Sequence, residues 1–160
     1  METKSLTMQT SSRVSNLESH TGYWLRFVSN HVSQAFAKKI EARGISVAEW
    51  VVLRILFECE AESPSAIAHR LDMTRGAISK IADKLIAKTL IARAADPADG
   101  RAQVLTITAK GRRMVPELAA LADRNDAEIF GHLSAADRKA LTRILKEIVA
   151  GQKLTSAPID

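Results

Sequence analysis

The 160-residue chain holds one cysteine, Cys59, and four scattered histidines, His20, His31, His69 and His132. A single thiol excludes an intrachain disulfide framework and any multi-cysteine zinc site. The chain has no HExxH, no GxSxG and no glycine-rich phosphate loop. The motifs of zinc proteases, serine hydrolases and nucleotide enzymes are therefore missing, and no catalytic residue, metal or cofactor is expected. Long apolar runs are missing too; a run such as Trp50–Leu53 is far too short to span a bilayer, so no membrane role is expected. No basic stretch followed by an apolar stretch opens the chain, which reads as no secretory signal and a reducing, cytoplasmic setting.

What the chain does have is charge in one place. Between Ser63 and Arg113 lie ten cations: Arg70, Arg75, Lys80, Lys84, Lys88, Arg93, Arg101, Lys110, Arg112 and Arg113. Four acids oppose them, Asp72, Asp83, Asp96 and Asp99, so the segment carries +6. The whole chain is +5, which leaves −1 for everything else. A placed positive face is the electrostatic footprint of a polyanion partner. The length suits one domain, or one domain with an appended dimerisation element.

Residues 1–18 are polar and Ser/Thr-rich and read as a mobile arm. From about Ser19 to Ala42, Leu25, Val28, Val32, Ala35 and Ile40 recur close to one helix face, and Gly44 is placed to end that helix. Ser46 and Glu49 form a capping box for a second helix, apolar nearly all round through Trp50, Val51, Leu53, Ile55, Leu56 and Phe57, which suggests burial. Ser63-Pro64 starts a third helix. Thr74 caps a fourth, running to about Lys88, with Ile78, Ile81, Leu85 and Ile86 inward. Leu90–Arg93 and Val104–Ile107 are strand candidates around a turn-rich tip containing Asp96-Pro97 and Asp99-Gly100. Thr108 to Phe130 returns to helix, with Pro116 inside as a possible kink. A second capping box at Ser134 and Asp137 opens a last helix, and 151–160 is a frayed tail.

The fold class expected is therefore mainly α with a small β-wing. Two helices joined by a short turn, the second exposing basic and hydroxyl side chains, make a helix-turn-helix. A helix fits the major groove, and its N-terminal residues meet base edges while its other face is buried. Thr74, Arg75, Ser79, Lys80 and Lys84 are placed for that contact: Arg75 for guanine or phosphate, Ser79 for either, the lysines for phosphate. Gly76 and Ala77 are small enough for close approach. The hairpin that follows is a wing, whose Arg101 can enter an adjacent minor groove. Asp99 beside it fits either a carboxylate holding that guanidinium or a plain turn residue. Arg93 lies at the start of the wing.

The run from Ser63 to Gly111 resembles the core of the MarR family of winged-helix transcription regulators. The resemblance rests on the exit Leu85…Leu90-Ile91-Ala92-Arg93, the wing Asp99-Gly100-Arg101, and Ile107-Thr108-Ala109-Lys110-Gly111 leading into a long helix. Thr89 departs from the glycine common before the exit strand, and Gly100 stands where a second arginine is common. The resemblance implies a winged helix-turn-helix over 45–111, flanked by dimerisation helices at 19–44 and 112–150. It implies a homodimer that places two recognition helices in successive major grooves of double-stranded DNA, as a repressor more often than an activator. It also implies a small aromatic carboxylate as effector. Trp24, Phe27, His31, Trp50 and Arg54 could hold such an acid; the same spacing also suits ordinary packing. Cys59 suits either redox sensing or packing, and Glu58 and Glu60 beside it are expected to raise its pKa. A non-specific architectural DNA protein is the nearest alternative to a regulator.

Overall fold

The computed structural model describes residues 14–155, so the expectations for residues 1–13 and 156–160 lie outside it. The chain divides into two compact units, 1–31 and 32–160.

In the first unit a 3-10 turn, Leu17–Ser19, is capped by the Asn16 side chain. The Trp24 indole N–H donates to the Glu18 carbonyl at 2.8 Å. Leu17 and Glu18 thus belong to a structured turn rather than to the expected arm, because the indole supplies a partner that composition does not reveal. Helix α1 (Thr21–Glu41) begins here. Tyr23 stacks edge-on against Trp24 with ring centres 5.1 Å apart. Leu25, Phe27 and Val28 are exposed, and the one fully buried residue of α1 is Ile40, in the second unit.

In the second unit, Gly44 ends α1 with φ +73°, a left-handed value that glycine adopts without steric cost. Ser46 and Glu49 form the expected capping box on α2 (Val47–Cys59). Val52, Leu53, Ile55 and Leu56 of α2 are buried at the centre of the core, each contributing roughly 1.5–3 kcal/mol by burial. A two-residue strand β1 (Ala61–Glu62) follows, too short to show any periodicity in sequence. Helix α3 (Pro64–Arg70) is capped by Ser63, and α4 (Arg75–Ala87) by Thr74, whose hydroxyl accepts from the Ala77 N–H at 3.1 Å. Ile78, Ala82 and Leu85 bury one face of α4.

Strands β2 (Ile91–Ala95) and β3 (Gln103–Ile107) pair antiparallel from Ile91↔Ile107 to Ala95↔Gln103. With β1 they form a three-stranded sheet in the order β1-β3-β2. Helix α5 (Ala109–Phe130) runs unbroken through Pro116, which does not divide it. Helix α6 (Ala135–Gly151) starts at Ser134, but only half of the second capping box forms. Asp137 donates its N–H to the Ser134 hydroxyl, and its carboxylate accepts from that hydroxyl at 2.6 Å instead of from the backbone. No residue of α6 is buried.

Thr89 takes φ +61°, a conformation costing a side-chain-bearing residue roughly 1–2 kcal/mol. Its neighbours hold it there. Thr108 Oγ1 donates to the Thr89 carbonyl at 2.8 Å, and Lys110 Nζ donates to the Thr89 hydroxyl at 3.1 Å.

Candidate nucleic-acid interface

Helices α3 and α4 are joined by a tight turn in which Asp72 takes φ +52° and the Met73 N–H reaches back to the Ala68 carbonyl. Met73 and the inward faces of both helices pack on the core, leaving Thr74, Arg75, Ser79, Lys80 and Lys84 exposed on the other side of α4. Ala77 is half-buried, and its N–H is spent on the Thr74 cap.

Side-chain partners sort the ten cations of the segment into two groups. Arg70 pairs with Glu58 at 3.4 Å, Lys88 with Glu49 at 2.6 Å, Arg93 with Asp83 at 2.7 Å, and Arg112 with Glu60 at 3.5 Å. Lys110 donates to the Lys88 carbonyl at 2.8 Å. Arg75, Lys80, Lys84, Arg101 and Arg113 make no side-chain hydrogen bond or ion pair among the described residues. Four of these five are the predicted contacts on α4 and at the wing tip. Arg93, also predicted, is held by Asp83 across from α4 to β2.

The wing tip is tied by its own aspartates. Asp96 Oδ1 accepts from the Ala98 N–H at 2.8 Å and Asp99 Oδ1 from the Arg101 N–H at 3.0 Å. Both are Asx turns, which local side-chain hydrogen bonding favours. Of the two roles open to Asp99, the turn role is the one its hydrogen bond fulfils; the carboxylate grips the backbone of Arg101 and leaves the guanidinium exposed.

The aromatic residues divide differently. Trp24, Phe27 and His31 lie in the first unit, Trp50 and Arg54 in the second. A cavity of about 250 Å³ in the second unit is lined by Val32, Ser33, Phe36, Val47, Trp50, Val51, Ala122, Asn125 and Asp126. Of the five expected residues, Trp50 alone is in that lining. Arg54 instead lies over Trp50 and Phe57, 5.7 and 6.0 Å from the ring centres, and pairs with Glu58 at 3.0 Å. Asn125, 2% exposed, donates to the Val32 carbonyl and accepts from Lys39 Nζ, both at 3.2 Å. It interrupts the apolar stripe Leu118–Leu121–Ala122 at helical spacing, a polar break that sequence reading passed over.

Cys59 is exposed, not a packing residue, and its thiol donates to the Ile55 carbonyl at 3.0 Å. Partial burial, then the Glu62 and Glu58 charges, raise it above its usual 9.0, against the pull of the backbone and of Arg70. The expected direction holds; Glu62 takes the place expected of Glu60, since β1 folds it back toward Cys59.

A helix pair whose second member is exposed, basic and capped by Thr, followed by a hairpin with a free arginine at its tip, defines a winged helix-turn-helix DNA-binding protein. The MarR family model matches residues 45–102. The HTH-type transcriptional regulator PrsX of Escherichia coli is 30% identical over 111 residues, which cover 68% of this chain and 67% of PrsX. The HTH-type transcriptional repressor Rv2887 of Mycobacterium tuberculosis is 26% identical over 127 residues, covering 79% of this chain and 91% of its own. The solved structure of BpsR from Bordetella bronchiseptica, whose DNA binding is regulated by 6-hydroxynicotinic acid, superposes with a TM-score of 0.72 at 26% identity, covering 84% of this chain and 96% of BpsR. This chain belongs to the MarR family of transcriptional regulators.

Proposed function

We infer that the protein is a sequence-specific repressor acting in the cytoplasm, which binds a pseudo-palindromic operator as a homodimer and releases it when a small aromatic acid binds. The observation carrying this reading is the free charge on Arg75, Lys80, Lys84 and Arg101, against the ion pairing of most cations around them. Unpaired arginine and lysine are ready for phosphates and base edges; paired ones first have to break a bond.

Dimerisation is supported by apolar surface that one chain leaves open. On α6, Leu141, Ile144, Leu145, Ile148 and Val149 are each 37–47% exposed. On α1, Trp24, Leu25, Phe27 and Val28 are exposed as well. Surfaces of this kind mark protein interfaces. We assign 19–44 and 112–150 to the dimer frame and 45–111 to the DNA-binding domain, with half-sites about 10 bp apart, one turn of DNA.

The effector reading rests on the cavity beside Trp50, where the Phe36 and Trp50 rings meet at 6.3 Å. Lys39, bonded to Asn125 in the cavity wall, is paired with Glu128 at 2.6 Å, and an effector carboxylate would take the place of Glu128 on that ammonium. BpsR, regulated by an aromatic acid, supports the same class.

The test is titration of the protein on its selected operator and on scrambled DNA at two salt concentrations. A large specific-to-nonspecific ratio is expected; equal affinities would mark an architectural protein. Addition of hydroxybenzoates should weaken operator binding in wild type and not in Trp50→Ala.

A further inference from the structure

The end of the recognition helix is bonded to both neighbouring parts of the second unit. Lys88, the residue that closes α4, is half-exposed and directs its ammonium onto the buried carboxylate of Glu49. It donates to both Glu49 carboxylate oxygens, at 2.6 and 2.8 Å, and to the Gly44 carbonyl at 2.7 Å. An ammonium has three protons, and all three are used. Glu49 is 3% exposed and also accepts the Ser46 N–H at 2.8 Å. Gly44 and Ser46 are the corner between α1 and α2. From the other side, Lys110 Nζ donates to the Lys88 carbonyl, while Thr108 Oγ1 donates to the carbonyls of Thr89 and Leu90. These two residues open α5.

We propose that the Lys88–Glu49 pair is a positioning element for DNA recognition: it fixes the tilt of α4 against the α1–α2 corner, and so sets which spacing of half-sites the dimer reads. Lys88 belongs to the basic segment in sequence but gives no charge to DNA. The pair acts through α4, on Arg75, Ser79 and Lys80. This inference rests on the operator-binding reading above. It adds that specificity depends on an ion pair whose two members are outside the set of expected base and phosphate contacts.

The test uses the full-length chain and the double variant Glu49→Gln/Lys88→Met, which removes both charges and leaves no unpaired buried carboxylate. A second variant, Lys88→Gln, keeps a donor at the joint. Circular dichroism and sedimentation first show that each is folded and associates as wild type does. Each is then titrated on the selected operator, on the same half-sites separated by one or two extra base pairs, and on scrambled DNA over a range of salt. For the double variant, operator affinity is expected to fall at least tenfold and the preference for the native spacing to flatten. Scrambled-DNA affinity and its salt slope should be unchanged, and Lys88→Gln should lie between. Two results overturn the proposal. Equal losses on operator and scrambled DNA, with a shallower salt slope, would make Lys88 an ordinary phosphate contact. Unchanged operator affinity and spacing preference in the folded double variant would make the pair structural only. Wild-type protein that prefers no sequence would overturn the regulator reading itself, a failure visible before either variant is examined.

Discussion

Gly111 sits where α5 begins, and its missing side chain is what lets α5 close on the exit from the recognition helix. A Cβ built there would lie 2.2 Å from the Leu90 carbonyl oxygen and 2.9 Å from Ile107 Cγ1. The first neighbour is backbone and cannot swing aside. Restoring an ordinary contact requires the two segments to part by about 1 Å. That opening strains the seam in which Leu90 accepts from the Thr108 N–H and from its hydroxyl, both at 3.0 Å. Losing one or two such bonds costs about 1 kcal/mol each. Forced packing adds roughly 1–3 kcal/mol. Gly111→Ala should therefore destabilise the protein by about 2–5 kcal/mol, or about 4–20 °C in Tm for a chain of this size. Thermal denaturation followed by circular dichroism, at matched protein concentration, measures it. Gly76→Ala is the control: it is helical, nothing lies within 4 Å of its Cβ, and the added methyl favours helix. A Gly111→Ala midpoint within a degree or two of wild type would refute the packing argument.

Other outcomes follow from the same geometry. Arg101→Ala should weaken operator binding and reduce the salt slope by about 1, with Tm unchanged, as measured by fluorescence anisotropy. Burial raises the Glu49 pKa, but bonds from Lys88 and Ser46 outweigh it and leave it below the usual 4.5. A lowered carboxylate stabilises the fold above its unfolded value and loses that contribution as pH falls through the folded one. Melting curves below pH 4.5 should thus decline more steeply for wild type than for Glu49→Gln. Leu145→Glu places a charge on the open face of α6 and should shift sedimentation toward monomer while the helical signal of the DNA-binding domain persists. Peroxide should leave operator affinity equal in wild type and Cys59→Ser, because the raised thiol pKa keeps the reactive thiolate scarce.

Much of the helical frame could be read from local rules. Ser46, Ser63, Thr74 and Thr108 cap helices where short polar side chains precede apolar periodicity, and each accepts the N–H three residues on. Such signals lie within one turn of chain. What escaped depends on residues far apart in sequence. β1 exists because Ala61 and Glu62 find Thr106 and Leu105. The engagement of Lys88 depends on Glu49, 39 residues away. Charge counting treated Lys88, Arg93 and Lys84 alike; only folding reveals that the first two are engaged and the third is free. The cavity escaped for a similar reason. Its wall gathers Phe36, Trp50 and Asn125 from three helices, whereas sequence grouped Trp24, Phe27 and His31 because they share one.

Helix α6 buries none of its residues within the chain. A helix of this length gains little from backbone hydrogen bonding alone, since most helical stability in proteins comes from tertiary packing. If its partner is a second copy, the last step of folding is bimolecular. Its rate then rises with concentration, and so does thermal stability. Newly made protein would mature slowly when scarce and quickly when abundant, so synthesis level would set how soon an operator is filled as well as how fully.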